Sequence, residues 1–215
     1  MLASLFVYLP LLGLLFVVGI IALTTPFEIS SILRDTTAVA QVPPYVGALS
    51  NLGILMWCGA ASACLLTYAT LRKSSRQERV RRFFLWCGIL SGVLMIDDAF
   101  LLHENIAKNI NLPSVVTFAV YGISLIVIIA SYWRFFVNSD FIVLFLGMGF
   151  FAASVLIDVG HDLLSFRFYY SSFSEDVFKL LGIAGWLSYF TCSSVQQLSK
   201  AVNEYDITAR MRPNP

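Results

Sequence analysis

"FFLWCGILSGVLMIDDAFLLHE", residues 83–104, decides the fold class. Residues 83–96 carry no ionisable acid, base or imidazole. As a helix the stretch would rise about 33 Å, close to the hydrocarbon thickness of a bilayer. Asp97, Asp98, His103 and Glu104 then arrive within eight residues. Each ionised side chain at bilayer depth costs roughly 2.5 kcal/mol or more. Such a cluster marks either a functional site or the level where the helix meets water.

Working outward, the same apolar pattern recurs. The chain has 215 residues, 58% of them hydrophobic and only 13% charged. A soluble domain would carry about a quarter charged residues. Apolar runs of about 20 residues predict six spans. They cover residues 2–23, 45–71, 83–104, 114–137, 141–164 and 177–198. The expected fold is therefore all-α: a polytopic integral membrane protein, a six-helix transmembrane bundle forming one domain. The first run lacks a positive n-region and a good cleavage site, so it reads as the first helix rather than a signal peptide. Cys58, Cys64, Cys87 and Cys192 fall inside apolar runs without a CxxC pair, and read as small buried hydrophobes. Gly88 and Gly92 form a small-xxx-small face for helix packing.

Basic residues set the expected orientation. Six lie in "RKSSRQERVRR", residues 72–82; with Arg134, Lys200, Arg210 and Arg212, ten fall on one side of a six-span count. Only Arg34, Lys108, Arg167 and Lys179 fall on the other. The positive-inside rule puts both termini and the Arg-rich loop in the cytoplasm, in a plasma or bacterial inner membrane. A net charge of +1 gives no basic surface for nucleic acid. Membrane lipids are the expected surroundings, with partners in a membrane complex left open. A short amphipathic piece, "FEISSIL", is expected in the long connection 24–44.

Two further polar clusters follow the first. In "SVLIDVGHDLLS" Asp158, His161 and Asp162 fall within about 100° of arc on one helix face. In "SSFSEDVFK" Glu175 and Asp176 open the sixth run. Alternating helices bring all three clusters to the end away from the Arg-rich loop. Seven of thirteen acids and both histidines are there.

Two carboxylates and an imidazole one turn apart suit a divalent cation, as Glu-x-x-His pairs do in carboxylate-bridged metal bundles. Asp97, His103, Asp158, His161, Asp162 and Glu175 are the expected metal ligands, and Asp98 and Glu104 the expected catalytic carboxylates. The donor set suits Zn, Fe or Mn, in a mononuclear or dinuclear site. In a continuous helix Asp97 and Glu104 share a face but lie about 10.5 Å apart along the axis, so both cannot bind one ion. Asn51 and Tyr121 are further polar neighbours. The competing reading of each cluster is structural: a hydrogen-bonded network for Asp158, His161 and Asp162, and a helix end at water for His103 and Glu104. For Glu175 it is a capping box with Ser172 and an i,i+4 pair with Lys179. Trp57, Trp86, Trp133 and Trp186 read as interfacial anchors or packing.

A metal-dependent membrane enzyme acting on a lipid or amphipathic substrate is the expected function. Hydrolase chemistry stands slightly ahead of di-iron oxidation. A cation or proton transporter is the first alternative, but it would need polar residues through the other half of the helices, which are apolar. A non-catalytic subunit of a membrane complex is the second.

Overall fold

The apolar runs become helices. The computed structural model describes residues 2–24, 34, 36–71, 77–102, 114–137, 139, 141–164 and 171–210. Every regular element among them is helical: α1 (Leu2–Thr24), α2 (Thr36–Ala40), α3 (Ala48–Thr70), α4 (Glu78–Phe100), α5 (Ser114–Ser131), α6 (Trp133–Val137), α7 (Phe141–Leu164) and α8 (Ser171–Arg210). By length and composition, α3 and α4 are long and apolar enough to cross a membrane. The apolar helical stretches Leu12–Ile21, Val116–Ser131 and Phe141–Ile157 are shorter. Two of the six expected crossings are thus met in length among the described residues. The expected piece "FEISSIL" lies outside them.

The chain divides into two compact units, one up to Ala48 and one from Leu49 onward. The first holds α1, whose Leu12, Leu14 and Phe16 are exposed, and the short α2. In its final turn Gly47 adopts φ +75, a left-handed backbone that glycine takes without a Cβ clash.

In the second unit neighbouring helices alternate in direction. Cys64 of α3 meets Gly88 of α4, while Ser91 and Asp98 of α4 pair with Trp186 and Lys179 of α8. Ser154 of α7 bonds Glu175 of α8, and Tyr132 at the end of α5 packs on Phe83 near the start of α4. Helices α4 and α7 therefore run against α3, α5 and α8.

The interior is aromatic and finely polar, and the exterior is greasy. Phe83, Phe84, Phe136, Tyr189 and Phe190 are almost fully buried. Trp57 stacks on Phe151 at 5.6 Å and meets Trp186 edge-on at 5.6 Å, in the offset and T-shaped geometries that aromatic quadrupoles favour. Trp186 Nε1 donates to Ser91 Oγ at 2.9 Å, and Ser91 Oγ donates on to the Cys87 carbonyl at 2.8 Å. Leu55, Leu66, Ile123, Ile126, Ile142 and Leu156 are all exposed. Small hydroxyls inside and aliphatics outside is the pattern of helices packing in lipid, where apolar burial gives no driving force between them.

Close backbone approach fixes α7 against α8. A Cβ on Gly185 would lie 2.9 Å from Gly147 Cα, so only glycines fit that crossing. Of the expected small-residue pair on α4, Gly88 serves as predicted: its Cβ would lie 2.9 Å from Leu65 Cγ. Gly92 has nothing within 4 Å. Trp57 and Trp186 are core residues, while Trp86 and Trp133 are exposed. Cys64 and Cys87 are buried as expected, but Cys58 and Cys192 lie on the surface.

Candidate functional site

The alternation brings the C-terminal ends of α4 and α7 and the start of α8 to one end of the second unit. That is the end where the three polar clusters were expected to meet. Two levels can be distinguished there.

The inner level is built on the last turn of α4. Asp97 and Asp98 are both buried, at 6% accessibility. Consecutive residues diverge by about 100° around a helix, so the two carboxylates enter different seams. Asp98 Oδ1 accepts a hydrogen bond from Lys179 Nζ of α8, forming an ion pair. Its other oxygen, Oδ2, has no hydrogen-bond partner among the described residues. It lies beside α3, 3.6 Å from where a Cβ on Gly53 would stand. Asp97 turns instead toward α5, where the Tyr121 hydroxyl bonds its carboxyl.

Helix α4 closes just after this turn. Leu101 takes a left-handed conformation, φ 49 and ψ 44, and its N–H bonds the Asp97 carbonyl. A left-handed leucine costs roughly 1–2 kcal/mol, which the cap bond and packing must offset. The helix thus ends at Phe100, short of the residue 104 that the sequence reading included in it. His103 and Glu104 lie outside the described residues.

The outer level belongs to α7 and α8. Ser154 Oγ donates to the Glu175 carbonyl at 3.1 Å, and Phe150 stacks on Phe178 at 6.0 Å. Position 158 follows one turn beyond Ser154, and positions 161 and 162 another turn on. Asp158, His161 and Asp162 occupy the last turns of α7, and their side chains lie outside the described residues. Phe150 marks the level of Lys179, so position 158 stands about 12 Å further out along α7. The inner carboxylates and the α7 triplet therefore occupy successive depths.

Lys179 has a partner that the sequence reading did not name. Its i,i+4 spacing pointed to Glu175 on its own helix, but it crosses to Asp98 on α4. The depth of Asp98 in an apolar run was the available signal, since a carboxylate there needs a cation. Helix α8 starts at Ser171, one residue ahead of the Ser172 that the expected capping box would use as N-cap. Asn51 is exposed on α3. Among the described residues no three His, Cys, Asp or Glu side chains converge as a metal cage.

Below the inner level Trp57, Trp186, Phe83 and Phe190 fill the interior, with the Ser91 and Thr67 hydroxyls among them. Among the described residues the next clustered charges lie at the far ends of the helices. There Glu78 bonds Arg81 at 3.0 Å and Arg82 at 2.9 Å, and Arg81 lies over the Tyr68 ring at 4.7 Å.

The described residues are all-α, with exposed aliphatics and with two buried carboxylates in the last turn of α4. The chain belongs to the family described as "Domain of unknown function (DUF8692)", whose model matches residues 6–193. No curated protein and no solved structure matches the chain.

Proposed function

We propose that this chain is an integral membrane enzyme of six spans, with its metal-dependent chemistry at the non-cytoplasmic end and a lipid or amphipathic substrate. The observation that carries the reading is the Asp98–Lys179 ion pair, its carboxylate buried, standing above a largely aromatic core. A charge pair placed at one end of a greasy helix assembly suits a site entered from one side. Beneath it, among the described residues, the buried polar side chains are uncharged hydroxyls such as Ser91 and Thr67, so a cation path, which needs polar steps through the whole thickness, is the less suited reading. Exposed aliphatics on α3, α5 and α7 further support a lipid setting.

In this proposal the metal belongs to the last turns of α7, with Asp158, His161 and Asp162 as ligands and Zn, Fe or Mn as the ion. Asp97, His103 and Glu175 are the further ligands expected from sequence; the depth of Asp97 sets it below the α7 triplet. Lys179 occupies the place beside Asp98 that a second cation would need. That leaves Asp98, with Glu104, for hydrogen bonding and proton transfer at the substrate. A bound metal would supply Lewis-acid polarisation of an ester or phosphoryl oxygen.

Metal analysis by mass spectrometry on chelator-free, detergent-purified protein tests the reading. Stoichiometric metal in wild type, lost in folded Asp158→Ala and His161→Ala variants, is the expected result. Metal-free wild type would refute the metalloenzyme and favour a non-catalytic subunit whose polar clusters tie helix ends together.

A further inference from the structure

The Asp98–Lys179 pair is only half used. Lys179 Nζ has three donors, and Asp98 is its one partner among the described residues. Its side chain keeps 39% accessibility, against 5% for Asp98. Asp98 Oδ2 is a buried carboxylate oxygen with no donor among the described residues, an arrangement that proteins rarely leave unfilled. The oxygen looks onto α3 at Gly53, where a Cβ would stand 3.6 Å from it and 3.1 Å from Ile183 Cδ1, the flexible end of a side chain. A lysine with a partly accessible side chain and a donor-seeking carboxylate oxygen thus lie side by side on one ion pair, at the level where α4 ends.

We propose that this pair receives the headgroup of an anionic, hydroxyl-bearing lipid. The anionic oxygen sits on Lys179, and a neighbouring hydroxyl donates to Asp98 Oδ2 beside Gly53, the end of the Ile183 side chain turning aside to admit it. The inference deepens the proposed function, on which it rests for the membrane setting, by naming the class of molecule. A phosphate alone satisfies Lys179 but leaves Oδ2 without a donor. A choline headgroup carries no hydroxyl for Oδ2 and sets a second cation beside Lys179. A phosphoglycerol headgroup supplies both groups. The acyl chains would lie along the exposed aliphatic faces, while the α7 triplet stands further out, over the headgroup.

Native mass spectrometry of the full chain, stripped of metal by chelator, tests this with phosphatidylglycerol, phosphatidic acid and phosphatidylcholine. Wild type should bind phosphatidylglycerol roughly tenfold more tightly than phosphatidic acid, the size of one charge-assisted hydrogen bond, and more tightly still than phosphatidylcholine. Lys179→Gln should cut the preference for phosphatidylglycerol over phosphatidylcholine by roughly tenfold. Gly53→Ala, which keeps the ion pair and favours the helix, sets a methyl 3.6 Å from Oδ2 and 3.1 Å from Ile183 Cδ1. It should erase only the preference for phosphatidylglycerol over phosphatidic acid. Soluble glycerol phosphate is the competing arm: competition at the lipid's own affinity would overturn the lipid assignment in favour of a free phosphorylated polyol.

Arg79, Arg81 and Arg82 remain in every arm, so anionic lipid held at the opposite end contributes equally throughout. A lipid preference unchanged by both substitutions would overturn the proposal and leave the pair as a structural tie. Should Lys179→Gln fail to fold, Gly53→Ala carries the test. Because the protein is metal-free here, lost metal binding and lost lipid selection report on the two proposals separately.

Discussion

Removing Lys179 should cost more stability than removing Asp98, and the structure sets the asymmetry. Breaking a buried ion pair by deleting one partner costs about 3–5 kcal/mol, because the other charge is stranded. In Lys179→Met the stranded group is a carboxylate with 5% accessibility. In Asp98→Leu it is an ammonium that already keeps 39% and can swing its head toward water on a flexible stem. Discounting for that solvent access, Lys179→Met should cost about 2–3 kcal/mol and Asp98→Leu about 1 kcal/mol. The double variant strands no charge, so it should cost less than Lys179→Met alone, with a coupling of about 2 kcal/mol. Trp57 and Trp186, buried close by, make tryptophan fluorescence during denaturation in detergent a suitable readout. Equal losses for the two single variants, or losses that simply add, would refute the reasoning.

Other consequences can be tested in the same preparation. Gly185→Ala forces a Cβ to within 2.9 Å of the Gly147 backbone and should cost about 1–3 kcal/mol by prising α7 from α8; Gly149→Ala, with nothing within 4 Å, should be neutral or slightly stabilising. Trp186→Phe removes the donor to Ser91 and part of the aromatic core. A loss of about 1–3 kcal/mol is expected in the same denaturation assay. Tyr121→Phe deletes the hydroxyl on Asp97 and should cost about 1–3 kcal/mol by leaving a buried carboxylate short of a donor; Tyr45→Phe, at an exposed position, should leave the midpoint unmoved.

Hydropathy located the helices because twenty apolar residues in a row have few other ways to satisfy their backbone. The run at 141–164 coincides with α7. Ends were harder where the stop is conformational rather than compositional. Helix α4 stops at a left-handed Leu101 with neither Gly nor Pro to announce it. Helix α8 runs on to Arg210, past the reach of any apolar window, because residues such as Lys200, Ala201 and Glu204 continue a helix in water as readily as in a core. At the site, shared topology was legible: three clusters counted to one end on an alternating fold. Which cation meets which acid was not. Lys179 had a local partner in Glu175 and a distant one in Asp98, and only the packing of α8 on α4 selects the second. The division of Asp97 and Asp98 between two seams follows from the same packing, although Tyr121 was visible as a polar neighbour.

Sidedness in a membrane is the most direct test of the proposed six-span enzyme. Single cysteines at Ser75, Asn138, Asn109 and Ser165, in a background with the four native cysteines replaced by alanine, can be labelled in intact cells with a membrane-impermeant maleimide. The account predicts that Asn109→Cys and Ser165→Cys react from outside, while Ser75→Cys and Asn138→Cys react only after lysis. Reaction of all four from the same side, or recovery of the chain in the soluble fraction, would contradict it.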